Sequence, residues 1–396
     1  MRIALLGAGI VGNVIARDLA TWDPPDQVRV GDLDRERAEE AAEPAGFEAA
    51  GVDVQDPHSL DRFLQGADVV VNAAQYQLNL AVMEAAFRTG VRYLDLGGLF
   101  HETRRQLELG DWFEKAGLTA VLGMGSCPGV SNVHAGDLAA RLDTVHSVRI
   151  YNGATVDPPG TLRWPYSPWT ILDEISRPAV VFRDGSFEEE EPLSGEETFA
   201  FADPIGPARV HLSLHSEVAT IPLSLAGKGI RHCEFKIHFF GLPEETLRQL
   251  QLLAWLGLAS TEPRAVGEVE GVVPRRLLVD LLEERSSLEP EGGKGAPSNP
   301  GFKDIATVAE GSREGDPVRL RLDTTAWPSA ELEVAGGTLL VAAPAAIVAR
   351  WLAAGELDKP GVHPPETLVP PQRLYRELAR RGAVTRLSEE TVLAGH

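Results

Sequence analysis

The first third of the chain predicts a doubly wound α/β fold, a parallel sheet with helices on both faces. Three observations carry this. Short apolar strands alternate with helical segments from Arg2 to Gly123. The stretch Ala67 to Asn72, ADVVVN, is continuously apolar, as a strand covered on both faces requires. The opening twelve residues, MRIALLGAGIVG, place a strand, a glycine-rich turn and a helix start in immediate succession.

Taken in order, Arg2 to Leu6 reads as a buried strand. Gly7, Ala8, Gly9, Ile10, Val11 and Gly12 follow as G-x-G-x-x-G, and a helix can begin at once. Such a turn aims backbone N–H groups at a pyrophosphate, where the helix dipole favours negative charge. Gly7 permits the tight turn, Gly9 lets the phosphate approach and Gly12 lets helix and strand pack closely. A second strand, Gln27 to Val30, ends at Asp32, near the ~20-residue offset expected for the acid that bonds an adenosine ribose. That carboxylate favours NAD over NADP, although Arg35 and Arg37 stand close enough to receive a 2′-phosphate. Further strands are expected at Phe47 to Val54, Ala67 to Asn72, Arg92 to Leu96 and Thr119 to Gly123. Helices are expected at Arg35 to Glu43, His58 to Leu64, Leu78 to Thr89 and Phe100 to Ala116.

Beyond Gly125 the pattern changes. Short strands around turns such as Asp184-Gly185 suggest a mixed or antiparallel sheet. Arg209 to His215 alternates, with His211, Ser213 and His215 on one face, which reads as a solvated sheet face. Helical patterns return at Pro243 to Leu256, Pro274 to Glu284, Ala345 to Ala354 and Pro371 to Arg381. The expected organisation is a Rossmann-type dinucleotide-binding domain, residues 1–125 completed by 344–396. Residues 126–343 form an inserted α+β domain for substrate and dimerisation.

Composition narrows the function. Fifty-eight acidic against 37 basic residues give a formal net charge of −21, which argues against nucleic acid or an anionic membrane as partner. Two cysteines and no C-x-x-C suit a reducing cytoplasm, and no Cys/His cluster suggests zinc. The longest apolar run, Leu339 to Ala349, falls short of a membrane span and contains Pro344.

Several segments together resemble the saccharopine dehydrogenase-like family over nearly the whole length. They are GAGIVG (Gly7 to Gly12), VDVQD (Val52 to Asp56), Val70 to Gly98, GMGSCPGVSNV (Gly123 to Val133) and the ending from Gly361. Ile171 to Gly185 and Thr220 to Gly241 look most like its lysine 6-dehydrogenase branch. The resemblance implies pyridine-nucleotide chemistry at a carbon–nitrogen bond. The branch implies NAD-dependent oxidative deamination of the 6-amine of L-lysine, with an aldehyde that cyclises to a piperideine carboxylate. One departure stands out: family members often carry an R-Y-P-G-H-like segment where this chain has His238-Phe239-Phe240-Gly241-Leu242.

Ligands of open α/β sheets sit outside the C-terminal strand ends, which here gather the remaining candidates. Asp53 and Val54 resemble the family's adenine pair, and a loop-turn aspartate is the competing reading. Asn72, Ala73 and Ala74 form a small-residue strand end over which a dinucleotide can lie, and Gly97 lies beside it. Asp95 interrupts an apolar strand and is a candidate to bind the substrate ammonium or relay its proton. Cys127, in Gly125-Ser126-Cys127-Pro128-Gly129, is placed against the nicotinamide, with Pro128 and Asn132 at the cofactor. Arg163, Tyr166 and Trp169 can line a substrate pocket, the rings holding an aliphatic stem and the guanidinium a carboxylate. His238 is a candidate proton acceptor.

Three functions are consistent with these residues. The first is an NAD-dependent lysine 6-dehydrogenase acting as a homodimer. The second is the reverse chemistry, a saccharopine- or carboxy-polyamine-type imine reductase using NAD(P)H. The third is a non-catalytic NAD-binding sensor or scaffold.

Overall fold

The computed structural model describes residues 1–156, 164, 166–239, 242–287 and 300–391. Six strands of the first domain, β1 (Arg2–Leu6), β2 (Gln27–Asp32), β3 (Glu48–Gly51), β4 (Val69–Asn72), β5 (Arg92–Asp95) and β6 (Thr119–Val121), pair in parallel in the order β6-β5-β4-β1-β2-β3. A strand from much later in the chain, Gly361–His363, adds to the free edge of β6. The alternation of side chains fills both faces. Ile3, Leu5, Val69 and Val71 meet the helices Ile10–Thr21 and Gly336–Ala353, while Ala4, Leu6, Val70 and Tyr93 meet Leu60, Phe63, Val82 and Phe113.

The second domain is a nine-stranded mixed sheet. Its members are β7 (Thr144–Ala154), β8 (Ala179–Arg183), β9 (Ser186–Glu190), β10 (Glu197–Ala200), β11 (Pro207–Leu212) and β12 (His232–Ile237). After a separate hairpin, β13 (Arg264–Val266) and β14 (Val269–Val272), come β15 (Lys303–Arg313) and β16 (Asp316–Ala326). The path runs β10-β11-β12-β7-β15-β16 and ends on the last strand of the chain. With β17 given to Gly361–His363 in the first sheet, that last strand is β18 (Ala383–Thr391). Only β12 and β7 run parallel; the rest are antiparallel. The β8–β9 turn has Asp184 and Gly185 both at positive φ, 45° and 92°, the twist-compatible two-residue hairpin that the sequence announces.

Four local expectations change. The Phe100 to Ala116 helix is two helices, Phe100–Leu107 and Gly110–Lys115, broken by a turn at Glu108 and Leu109 just ahead of Gly110. The helix expected from Ala345 starts at Gly336 and runs through Pro344 to Ala353. A mid-helix proline costs about 3 kcal/mol, but Leu339, Leu340, Ile347 and Leu352 are buried, each worth about 1.5–3 kcal/mol, so packing overrides the break. This helix is 18 residues long with mean hydropathy 1.5, yet 78% of it is buried against the first sheet and β16, as a core helix is. The C-terminal segment does not all complete the first domain: β18 joins the second sheet through nine residue pairs with β16. Finally β11 stops at Leu212, so Ser213 to Ser216 leave the sheet and His215 is buried rather than solvated.

Candidate active site

The glycine turn is built for an anion. A Cβ on Gly12 would fall 1.8 Å from the Gly7 carbonyl oxygen, and one on Gly7, at φ 96°, would fall 2.7 Å from the Ala73–Ala74 backbone. Those two glycines are demanded by the protein's own packing. Gly9 is different: it is exposed, and a Cβ there would meet nothing within 4 Å. It is the N-cap of helix Ile10–Thr21, which no side chain caps. The first-turn N–H groups and the open space above Gly9 therefore fit the pyrophosphate of a dinucleotide. Asp32 accepts the Ala8 N–H at 2.8 Å and the Asp34 N–H at 3.0 Å, which fixes the turn beside the end of β2. Arg35 and Arg37 are exposed and pair with Glu39 and Asp34.

The other cofactor candidates divide. Ala73 and Ala74 are partly exposed beside Gly7, and Gly97 (φ 113°) carries Pro128 directly against it, where a Cβ would be 2.4 Å from the proline ring. These line the C-terminal edge with the glycine turn. Asn72 does not: it is buried, donates to Asn79 Oδ1 at 2.9 Å and accepts the Ala74 N–H. Asn132 is likewise buried; it accepts the Gly129 N–H and donates to Thr220 and Glu366, tying helix Val130–Ala140 to the second domain and the C-terminal segment. Asp53 caps its own turn through the Gln55 N–H, with Val54 packed on the core beneath.

Asp95 is 0% exposed. Its carboxylate accepts four donors: Tyr93 Oη at 2.9 Å, Gln106 Nε2 at 2.6 Å and the N–H groups of Gly97 at 2.9 Å and Gly123 at 2.6 Å. Burial raises its pKa against the pull of those donors. The acid fastens β5 to the loop after β6 and has no face left for a substrate. Cys127 is partly buried, and enclosure pushes its thiol well above the ordinary range, so it is a neutral packing group and no nucleophile.

Where that cysteine meets the second domain, charged groups converge that the sequence does not mark as one set. Glu217 Oε1 accepts Ser131 Oγ at 2.7 Å, and Glu217 Oε2 meets His215 Nδ1. The His215 ring stacks on Phe235 with centroids 3.8 Å apart. Glu174, on helix Pro168–Ser176, accepts Tyr166 Oη at 2.5 Å. Lys303, first residue of β15 and 1% exposed, acts electrostatically on Cys127 and His215, and feels Glu174. Burial pushes Glu174 up to about 7 and pulls Lys303 down to about 8. Burial opposes a charged His215, but the charge and hydrogen bond of Glu217 outweigh it and raise its pKa. Beside this cluster Asp173 accepts Tyr76 Oη from the first domain and Arg275 Nη1, each at 2.7 Å.

The cluster takes in Cys127 and Tyr166 from the sequence candidates. Trp169 lies under the Arg275 guanidinium, 5.5 Å away, as packing. Arg163, Phe240 and Gly241 lie outside the described residues. His238 is past the end of β12 with Nδ1 3.0 Å from the Arg209 carbonyl; the groups that act on it are His211, Arg209 and Glu244, none of the cluster. The missed residues had one faint signal in common: Glu174, Glu217 and Lys303 each interrupt an apolar segment (ILDEI, SEVATIPL, GFKDIATVA).

A glycine turn over a parallel sheet, facing a second domain that closes on its C-terminal edge with buried acids and bases, defines a nicotinamide-dinucleotide oxidoreductase of two domains. Residues 3–121 match the family model for the saccharopine dehydrogenase NADP binding domain and residues 125–383 that for the saccharopine dehydrogenase C-terminal domain. The chain belongs to the saccharopine dehydrogenase family and is an NAD(P)-dependent dehydrogenase or reductase. It is 27% identical over 282 residues to a carboxynorspermidine synthase of Vibrio alginolyticus, covering 68% of this chain and 65% of that protein. It is 25% identical over 303 residues to a carboxyaminopropylagmatine dehydrogenase of Synechocystis, covering 72% and 73%. Among solved structures, the saccharopine dehydrogenase (L-Glu forming) of Saccharomyces cerevisiae superposes with a TM-score of 0.69 at 18% identity, covering 99% of this chain and all of that one.

Proposed function

We propose that the protein is an NAD(P)H-dependent imine reductase that joins an amine to a carboxylate-bearing aldehyde, making a carboxylated polyamine. Likeness to two carboxy-polyamine enzymes over more than two thirds of the chain carries the reading, and it turns the choice away from lysine 6-dehydrogenase. The cluster agrees in its chemistry. Glu174 suits an alkylammonium, and Lys303 suits a carboxylate. The turn Gly7–Gly12, with Ala73, Ala74 and Gly97, would hold the dinucleotide, whose reduced nicotinamide supplies a hydride when bound. The chain's own residues do the rest. The Pro128–Gly97 contact and Cys127 shape the apolar wall at the domain crossing. The buried cluster excludes water and fixes the charged ends of the two substrates.

Asp32 favours NADH over NADPH, with Arg35 and Arg37 as the alternative 2′-phosphate ligands; the ratio of KM values for the two cofactors reads this. The proposal includes a homodimer in the cytoplasm, with small molecules as its other partners; light scattering measures the first. The central test supplies reduced nicotinamide with α,ω-diamines and amino-acid semialdehydes, singly and together. Absorbance at the nicotinamide band falls only when both are present, and mass spectrometry finds the secondary amine. Turnover with L-lysine and NAD⁺ alone, and none with any pair, would overturn the reading in favour of the lysine 6-amine.

A further inference from the structure

We propose that His215, oriented by Glu217, is the catalytic acid of this site: its Nε2 gives a proton to the hydroxyl that leaves when amine and aldehyde condense. The inference rests on the imine-reductase reading above and assigns its dehydration step.

The ring is held by two groups, one of them anchored in turn. Glu217 Oε2 takes Nδ1, the Phe235 face lies parallel within 15°, and the second Glu217 oxygen is anchored by Ser131. Ser131 stands in the first turn of helix Val130–Ala140, directly after the Cys127–Pro128 crossing, so the pair is positioned from the segment by which the chain leaves the cofactor domain. Nε2 carries no hydrogen bond among the described residues. A histidine with one nitrogen on a buried carboxylate and the other unengaged is the arrangement of a general acid or base. Nearby polar atoms point to a ligand as well. Ser213 Oγ and Ser216 Oγ are buried without a hydrogen-bond partner among the described residues, as is Asn152 Oδ1 on β7, whose backbone carbonyl accepts the His238 N–H. Buried polar atoms ordinarily find partners, and an amine or hydroxyl of a substrate would supply them here.

The step balances as follows. The amine nitrogen adds to the aldehyde carbon, giving a carbinolamine. Protonated His215 transfers H⁺ to its hydroxyl, the C–O bond breaks, water leaves and the nitrogen lone pair forms C=N, leaving an iminium. The dinucleotide that the Gly7–Gly12 turn would hold would supply, in its reduced form, the hydride for that carbon; the C=N pair would return to nitrogen and give a secondary amine. His215 recovers its proton from solvent. The groups that face it are Glu217 at the start of the helix that follows it, Glu174 from helix Pro168–Ser176 and Lys303 from the start of β15. The acid must be charged, so the rate is held below its folded pKa and falls as pH rises through it. Glu217 raises that pKa and therefore extends the active range upward.

The experiment compares wild type, His215→Asn and Glu217→Gln in kcat against pH, with NADH affinity by fluorescence titration as the fold control. A catalytic acid predicts that His215→Asn loses roughly 10²–10⁴-fold in kcat and loses the alkaline fall, while NADH affinity stays within about twofold. Glu217→Gln moves the alkaline fall to lower pH and keeps part of the rate. Titration of His215 by NMR in the wild type stands even if a variant fails to fold, and a pKa below about 6.5, the unperturbed value, overturns the proposal. So does a His215→Asn enzyme with the wild-type rate and profile. If the wild type reduces no amine–aldehyde pair, the imine-reductase reading itself is lost and this inference falls with it; activity that is indifferent to His215 sinks the inference alone.

Discussion

Replacing Gly9 and Gly12 by alanine, one at a time, separates what the fold needs from what the cofactor needs. Gly9 has φ −69° and ψ −166°, a conformation open to alanine, and the new methyl group would touch nothing within 4 Å. Alanine narrows the unfolded ensemble by about 0.4–1 kcal/mol and is a poorer N-cap than glycine by a similar amount. The two nearly cancel, so Tm should stay within about 2–4 °C. The methyl group does occupy the space left for a phosphate, and the backbone N–H groups can no longer be approached. A tenfold to hundredfold weaker dinucleotide, about 1.4–2.8 kcal/mol, is expected by calorimetry with NADH. Gly12→Ala reverses the order of effects. Its methyl group would sit 1.8 Å from the Gly7 carbonyl, so helix and strand must separate, at about 1–3 kcal/mol for overpacking, and Tm falls before any cofactor is added. A Gly9→Ala protein that binds NADH as tightly as wild type would refute the placement of the phosphate; one that melts several degrees early would refute the claim that the protein itself has no use for that glycine.

Two further outcomes concern the buried carboxylates. Asp95→Asn turns an amide N–H₂ toward donors that now meet an oxygen, so about 1–3 kcal/mol is lost; differential scanning calorimetry should find the same lowered Tm with and without cofactor, and a loss of rate at unchanged Tm would restore Asp95 to the chemistry. Glu174, raised to about 7 by burial, holds its proton in the folded state well after the unfolded chain has released it. Its contribution to stability is complete below about 4.5, the unfolded value, and is lost as pH rises to about 7. Glu174→Gln should flatten the decline of Tm across that window, and an unchanged slope would show that the carboxyl is solvated.

The glycine turn that we assign to the cofactor is legible in the sequence because its signal is local. Gly7 to Gly12 and Asp32 act through backbone geometry within one βαβ unit, and a short stretch of sequence contains the whole argument. Asp95 was legible as an anomaly but not in its role, since two of its four donors, Gln106 and Gly123, come from other elements. The substrate cluster was illegible for the same reason at greater range. Ser131, Glu174, His215 and Lys303 come from four separate segments of the chain and meet only when the second domain has folded. His215 was misread because alternation across Arg209 to His215 continues past Leu212, where the strand ends. Pro344 was read as a break because local propensity is blind to the burial that overrides it. The His238 expectation followed a family segment, whereas the His238 ring itself meets the Arg209 carbonyl and not the charges that gather at Cys127.

The passage of helix Gly336–Ala353 across the first sheet has a consequence for how the chain must be made. One whole face of that sheet, Ile3, Leu5, Val69, Val71, Leu94 and Val121, is covered partly by residues that lie about two hundred positions further along the chain. At about 5–20 residues per second, the ribosome takes roughly ten to forty seconds to synthesise the intervening two hundred or so residues. For that interval the emerging cofactor domain carries an uncovered greasy surface. Its core closes only when Gly336–Ala353 arrives to pack beside helix Ile10–Thr21.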